Sequence, residues 1–309
     1  MARYLLRRIG YMILTLFIIA TVSFFLMKML PGSPLKADDK LTEEQKALIL
    51  EKYGLNDPVP VQYVKYIGGL VKGDLGISFV FDNTPVTQLL MDRIGPSALI
   101  GFQAIVLGTF IGILLGLLAA IFHNGFLDYT STIIAVLGTS IPSFVFAGLL
   151  QYSLAVELEL FPVALWGTFA HTVLPTLALA IGPMATAARF VRTEMVEVLN
   201  SQFILTARAK GVSKAGIVWK HGFRNALIPL ITVIGPMAIG LMTGSLVIEK
   251  IFAIPGIGEQ FVTSVTTTDY PTIMGTTLLY AFGFVVIILV IDLLYGLIDP
   301  RIRVSGGNK

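Results

Sequence analysis

Cysteine is absent from this 309-residue chain, so a disulfide framework, a thiol nucleophile and a thiolate metal site are all excluded, whatever the redox state around it. Charge is scarce too. Only 13% of residues are Asp, Glu, Lys or Arg, against about 25% in soluble proteins, while 55% are hydrophobic and the mean hydropathy is +0.82. Such a chain belongs in a membrane, and a net charge of only +3 argues against a nucleic-acid partner.

Other absences narrow the chemistry. The three histidines, His123, His171 and His221, fall in separate segments without the spacing of a zinc helix. No Gly-Lys pair occurs, which removes a Walker A phosphate loop; ATP, if used, is bound by another polypeptide. Gly256-Ile257-Gly258 has Phe261 where a dinucleotide fingerprint needs its third glycine, so it reads as a turn after Pro255. There is no Gly-x-Ser-x-Gly elbow and no pair of aspartates at membrane depth, which weakens any hydrolase reading. Asp292 is the clearest acid within an apolar stretch, and its expected role is pairing with a basic neighbour or water rather than a proton relay.

What is present is a series of apolar runs long enough for a bilayer core, which takes about 20 helical residues. They read as Ile9–Leu30, Ser97–Phe122, Tyr129–Val156, Thr172–Ala188, Leu227–Ile248 and Thr272–Ile298, six spans in all. The first run follows Arg3, Arg7 and Arg8, is too long for a signal-peptide core and lacks an Ala-x-Ala site, so it is expected to stay as a span. Arg189, Arg192, Arg208, Lys210, Lys214, Lys220 and Arg224 crowd one loop, which the positive-inside rule places in the cytoplasm with both termini, Arg301 and Arg303 included. Glu157, Glu159, Glu259 and Asp269 then fall in outside loops that lack lysine and arginine. The chain thus divides into an N-terminus and first span (1–30), a long outside segment (31–95), a five-helix core (96–298) and a tail (299–309), with the basic loop at 190–225.

The outside segment reads as two short helices covering the bundle. Thr42-Glu43-Glu44-Gln45 has capping-box spacing and Gly54 closes the first helix. Asp57 before Pro58 reads as the N-cap of the second, with Tyr63, Val64, Ile67 and Val71 as its apolar stripe and Gly73 as its stop. Within the core, Gly108, Gly112 and Gly116, followed by Ala120, form a small-residue ridge for close helix packing. Gly138-Thr139-Ser140-Ile141-Pro142-Ser143 predicts a kink beside an aqueous path, with neighbouring hydroxyls covering the freed carbonyl. Ser140 and Ser143 are candidate path residues, and Gln103 and Gln151 join them, with interhelical hydrogen bonding preferred for either glutamine alone. The low charge of the spans suits uncharged or zwitterionic cargo.

The basic loop carries the most information. Ser201 to Asn225 reads as helix, turn, helix about Gly211-Val212-Ser213, with Ala207, Ala209 and Val212 offering small apolar contacts while Arg208, Lys210 and Lys214 stay solvated or meet lipid phosphate and acidic partners. Leu205-Thr206-Ala207-Arg208-Ala209-Lys210-Gly211 followed by His221-Gly222-Phe223-Arg224-Asn225-Ala226 resembles the loop of ABC importer permeases of the peptide class, the oligopeptide, dipeptide and nickel permeases. Arg189-Phe190-Val191-Arg192, Glu249-Lys250-Ile251-Phe252 through Gly258, Asp269-Tyr270-Pro271, Asp292-Leu293-Leu294-Tyr295 through Arg301, and Ser140 through Phe144 are similar to the same family's run. The first span and outside segment resemble the first of the two oligopeptide-permease subunits. Leu205 stands where the general importer loop has glutamate, Arg224 where it has its closing proline, and Thr268 where relatives often have arginine.

The resemblance implies an all-α, six-span type I importer permease in the bacterial inner membrane. Its partners would be a homologous second permease, two cytoplasmic ATPases that bind the ATP and magnesium, and an extracytoplasmic peptide-binding protein. The chain itself would hold no cofactor and catalyse nothing. Its ATPase-coupling residues would be Leu205, Thr206, Ala207, Arg208, Ala209, Lys210, Gly211, Val212, His221 and Arg224. An ion-coupled secondary transporter or channel ranks second, because no internal repeat or ionisable midplane pair is evident. An intramembrane hydrolase ranks third.

Overall fold

A computed structural model describes residues 2–29, 50–51 and 54–298, and among them the fold is helical, with one isolated antiparallel bridge between Ile77 and Pro85. The predicted capping box at Thr42–Gln45 and the basic tail lie outside the described residues, as do the side chains of Lys214, Lys220, His221, Arg224 and Asp292. The helices are α1 (Ala2–Met29), α2 (Val59–Val71), α3 (Val86–Ile121), α4 (Phe126–Ser140), α5 (Ser143–Leu150), α6 (Ala170–Leu199), α7 (Gln202–Ala209), α8 (Arg224–Met242), α9 (Leu246–Ile251), α10 (Ile257–Thr266) and α11 (Tyr270–Ile298). π-helical turns at Gln151–Glu157 and Ile217–Phe223 extend α5 and lead into α8.

Five described stretches are long and apolar enough to cross a membrane: Leu6–Met29, Val86–Ile121, Ala170–Leu199, Pro229–Ile251 and Tyr270–Ile291. The pair Phe126–Ser140 and Ser143–Glu157 makes a sixth if counted as one span, but it is bent by 102°. The Tyr129–Val156 span is thus broken at the predicted proline kink, which is sharp. Proline disfavours helical backbone in the residue before it, and Ile141 is accordingly extended (φ −92°, ψ 125°) before Pro142 (φ −59°, ψ 142°). The Thr139 hydroxyl covers the carbonyls of Ala135 (3.2 Å) and Val136 (3.0 Å) rather than that of Gly138. The fourth apolar run also continues as helix through Leu199, and the fifth is interrupted at Thr243–Ser245, where Gly244 has φ +104°. Gly256 is the N-cap of α10 rather than part of a free turn.

The chain forms two compact units. The first contains residues 1–95 and 256–285. There α2 rests on the C-terminal end of α1 through aromatic contacts: Phe24 stacks on Tyr66 at 5.4 Å, and the Tyr63 hydroxyl meets that of Thr21 at 2.8 Å. Lys28 adds a hydrogen bond to Gln62. Contact follows one edge of the predicted stripe, since Val64 and Val71 are exposed. Pro58, not Asp57, caps α2; Asp57 instead pairs with Lys65 at 2.5 Å. Gly54 (φ +62°) closes the preceding helical turn, with Leu55 N–H returning to the Leu50 carbonyl and Gly54 N–H to that of Glu51, a Schellman arrangement.

The second unit contains residues 96–255 and 286–309 and is packed around α6. Its larger cluster buries Ile100, Ala104, Leu174, Ala178, Ile248 and Phe252, and a second buries Leu117, Ala187, Val191, Met195 and Leu230. Alanine is the commonest residue in these clusters, as expected where, with lipid as solvent, helices associate through close packing rather than expulsion of water.

Candidate functional site

The ridge of α3 sets how closely α6 approaches. A methyl group on Gly108 would lie 2.3 Å from the Ala180 carbonyl oxygen, one on Gly112 2.3 Å from that of Met184, and one on Gly116 2.7 Å from that of Ala188. Backbone therefore meets backbone along three successive turns, and Pro175 and Pro183 are accommodated within the α6 helix. The result is a rigid two-helix wall, and the segment that follows α6 inherits its position.

That segment is α7 and its turn. Ile204 is fully buried and anchors α7, whereas Leu205, Thr206, Arg208, Ala209 and Lys210 are exposed and Ala207 and Val212 half-buried. Lys210 N–H bonds the Thr206 carbonyl, Gly211 N–H that of Arg208 and Val212 N–H that of Ala207. Gly211 takes φ +78° to close the helix, and no heavy atom lies within 4 Å of where its side chain would begin, so the requirement for glycine is conformational rather than spatial. Beyond the turn, Val218 and Phe223 pack against the cluster around Met195, and a methyl on Gly222 would meet Met195 Cε at 2.8 Å. An exposed helix thus sits on a stiff connection to α6 and α8. His221 lies in the π-helical turn and Arg224 opens α8.

The path candidates separate into two kinds. Ser140 and Ser143 flank the sharp bend and are exposed, and their hydroxyls bond no protein group among the described residues. Gln103 accepts a hydrogen bond from the Thr176 hydroxyl at 2.8 Å, joining α3 to α6. The Gln151 amide donates to the carbonyls of Val163 (2.7 Å) and Ile251 (3.2 Å), tying the segment after α5 to α9.

Three buried acids emerge that sequence reasoning had assigned to loops or to motif runs. Asp128, 2% exposed, accepts from Arg192, Asn124 N–H and His123. Glu249, fully buried, accepts from the Ser97 hydroxyl at 2.7 Å. Asp269, also fully buried, accepts from Ser78 (2.5 Å), Thr272 (2.7 Å) and Phe79 N–H (3.0 Å). Each also has a partner far along the chain, 64, 152 and 191 residues away, a separation that leaves no local pattern to read for those bonds. Asp128 and Asp269 each accept from three groups and Glu249 from Ser97, which marks each as a joint between segments rather than a free acid. Among the described residues, no three His, Asp or Glu side chains are grouped to hold a metal ion.

Packed helices with exposed apolar flanks, a sharply broken span and a short exposed helix on a rigid wall define a multi-pass transport permease. Residues 112–304 match the family described as "Binding-protein-dependent transport system inner membrane component", and residues 1–99 match its N-terminal companion, "Binding-prot-dependent transport system membrane comp, N-term". The chain belongs to this family of membrane transport components. It is 48% identical to the dipeptide transport system permease protein DppB of Lactococcus lactis subsp. cremoris, over 98% of this chain and 100% of that protein. It is 40% identical to the oligopeptide transport system permease protein OppB of Salmonella typhimurium, again over 98% of this chain and 100% of that protein. Among solved structures, the MetNI methionine ABC transporter in its inward-facing conformation matches with a TM-score of 0.57 at 22% identity, covering 69% of this chain and 97% of that one. The fold is that of a type I ABC importer permease.

Proposed function

We propose that this chain is one permease subunit of an ATP-driven importer that carries di- or oligopeptides into the cytoplasm. The observation that carries this reading is the exposed α7–Gly211 unit, presented outward while Ile204 and the Met195 cluster fix its base. Two cytoplasmic ATPases, which hold the ATP and magnesium, seat this unit in a cleft, and their closure moves it as a rigid body. Leu205, Thr206, Ala207, Arg208, Ala209, Lys210 and Val212 make or support that contact, with His221 and Arg224 at the far end of the segment. Force passes through Val218 and Phe223 into α6 and α8 and so to the bundle.

A second, homologous permease completes the path, with Ser140 and Ser143 bordering this chain's half. A peptide-binding protein delivers cargo on the outer side, where α2 lies. The basic loop and both termini face the cytoplasm in the inner membrane. Sequence identity of 48% and 40% with a dipeptide and an oligopeptide permease, over nearly the whole of each chain, supports the peptide class of cargo.

Purification in mild detergent, identification of co-purifying chains and peptide uptake by vesicles loaded with ATP test this together. Two ATPases, a second permease and ATP-dependent uptake are expected. A homomer that accumulates solute on a proton or sodium gradient alone would overturn the reading.

A further inference from the structure

Beside the Asp128–Arg192 pair, α3, α4 and α6 border a half-open pocket of about 180 Å³ whose apolar lining is Ala119, Ala135 and Ala188. Ser131, Thr132, Arg189 and Thr193 line it, and Arg192 stands at its edge. Ser131 is only 5% exposed, yet its hydroxyl bonds no protein group among the described residues. The side chains of half-buried Thr132 and of exposed Thr193 and Arg189 are likewise without a protein hydrogen bond or ion pair among the described residues. One buried hydroxyl, two more accessible ones and a guanidinium thus border one small space.

We infer that this cavity holds the phosphodiester of an anionic membrane lipid. The charge balance points there: Arg192 is neutralised by Asp128, so Arg189 alone contributes a net +1, which matches one phosphodiester monoanion. Guanidinium binds phosphate through two parallel N–H bonds, and a buried serine supplies a third donor. The volume admits a phosphate group.

Depth and surroundings favour a lipid over a soluble anion. Arg189 is the first charge after the apolar run Thr172–Ala188, which puts it at headgroup level. Phe122, Phe126 and Tyr129 stand exposed at the neighbouring helix ends, in the interfacial position aromatic rings favour, and Ile133 and Val136 on α4 offer an exposed apolar face for the acyl chains. Only the choice of the cytoplasmic leaflet rests on the orientation proposed above; the site itself does not.

The complex, carrying the full chain, is exchanged into detergent micelles containing phosphatidylglycerol or phosphatidylcholine, and lipid retained on this chain is read by native mass spectrometry. Wild type is expected to keep one phosphatidylglycerol in preference to phosphatidylcholine. Arg189→Gln is expected to weaken retention about tenfold, the factor that ~1.4 kcal/mol of charge-assisted bonding sets. Ser131→Ala, which removes one donor in place, is expected to weaken it about threefold and gives an independent reading should the arginine variant fold poorly. Equal retention by wild type and both variants overturns the inference. Release of the wild-type lipid by excess inorganic phosphate overturns it too, because the site then reads a soluble anion. Whether the chain carries peptide has no bearing on this readout.

Discussion

Arg192 grips Asp128 with two nitrogens, Nε at 2.5 Å and Nη2 at 3.0 Å, joining the start of α4 to the C-terminal third of α6. The carboxylate is buried whereas the guanidinium is about one-third exposed, 3% against 32%. The acid is therefore the group that suffers when the pair is broken. Removing its cation leaves a buried charge held only by Asn124 N–H and His123. Arg192→Gln is expected to lower unfolding stability in detergent by about 3 kcal/mol, and Asp128→Asn added to it to restore more than half of that. Thermal melts of the single and double variants measure the coupling; additive losses would show that the pair contributes nothing as a unit.

Gly211 offers a separate test, because its φ of +78° coincides with open space. A non-glycine residue there meets only a backbone penalty of about 1–2 kcal/mol, larger when β-branched. Gly211→Val should insert normally but lower ATP-driven peptide uptake about 5–30-fold while ATP hydrolysis by the partners persists. Asn, which visits left-handed backbone more easily, should retain most uptake. Uptake and ATPase assays on reconstituted vesicles separate the two, and Val and Asn variants of equal activity would remove the turn from the coupling step.

Ala207 tests the same surface from its packed side. It is half-buried on α7, so a carboxylate there would be desolvated when an ATPase seats on the helix. Ala207→Asp is expected to reduce co-purifying ATPase at least about tenfold, the factor set by ~1.4 kcal/mol, without changing the membrane yield of this chain. Undiminished co-purification would show that α7 is not the contact.

Much of this architecture was legible from residues alone because its signals are local. Long apolar runs mark the spans, and Gly211 after Ala209 and Lys210 marks the end of α7. The spacing of Gly108, Gly112 and Gly116 announces a close neighbour, though only packing reveals it as α6. Features that depend on a distant partner were hidden. Arg192 counted among surface basic residues until Asp128, 64 positions away, appeared beside it. The stripe on α2 suggests an apolar contact; α1 meets it along the Gln62, Tyr63 and Tyr66 edge and leaves Val64 exposed. Pro142 predicted a kink; its size of 102° reflects an extended Ile141 that no spacing rule specifies.

The ridge makes a prediction of opposite signs on two helices that touch. Alanine at Gly112 would press its methyl against the Met184 carbonyl at 2.3 Å and the Ala187 Cβ at 2.7 Å, so a destabilisation of about 1–3 kcal/mol is expected. Alanine at Gly182 of α6 meets nothing within 4 Å and removes the entropic penalty of glycine in a helix, a gain of about 0.5–1 kcal/mol. Thermal melts of the two variants in one detergent should move in opposite directions. Parallel shifts would mean that α3 and α6 are not in the backbone contact described.

Asp269 tests whether a buried acid organises a loop from a distance. Its oxygens receive Ser78, Thr272 and Phe79 N–H, and the Ser78 oxygen in turn accepts from Val80 N–H and Phe81 N–H at 3.2 and 2.9 Å. One carboxylate thereby orders the turn that returns through the Ile77–Pro85 bridge to the start of α3. In Asp269→Asn, one acceptor oxygen becomes an amide NH2 group facing donors, and each bond lost or reversed costs about 1–3 kcal/mol. Local rather than global opening is expected, because α11 keeps its own backbone bonds. Hydrogen exchange over residues 77–85 should quicken by at least about tenfold, with helical content unchanged. Exchange at the wild-type rate would mean that the turn holds itself, and Asp269 would then matter only to the first turn of α11 through Thr272.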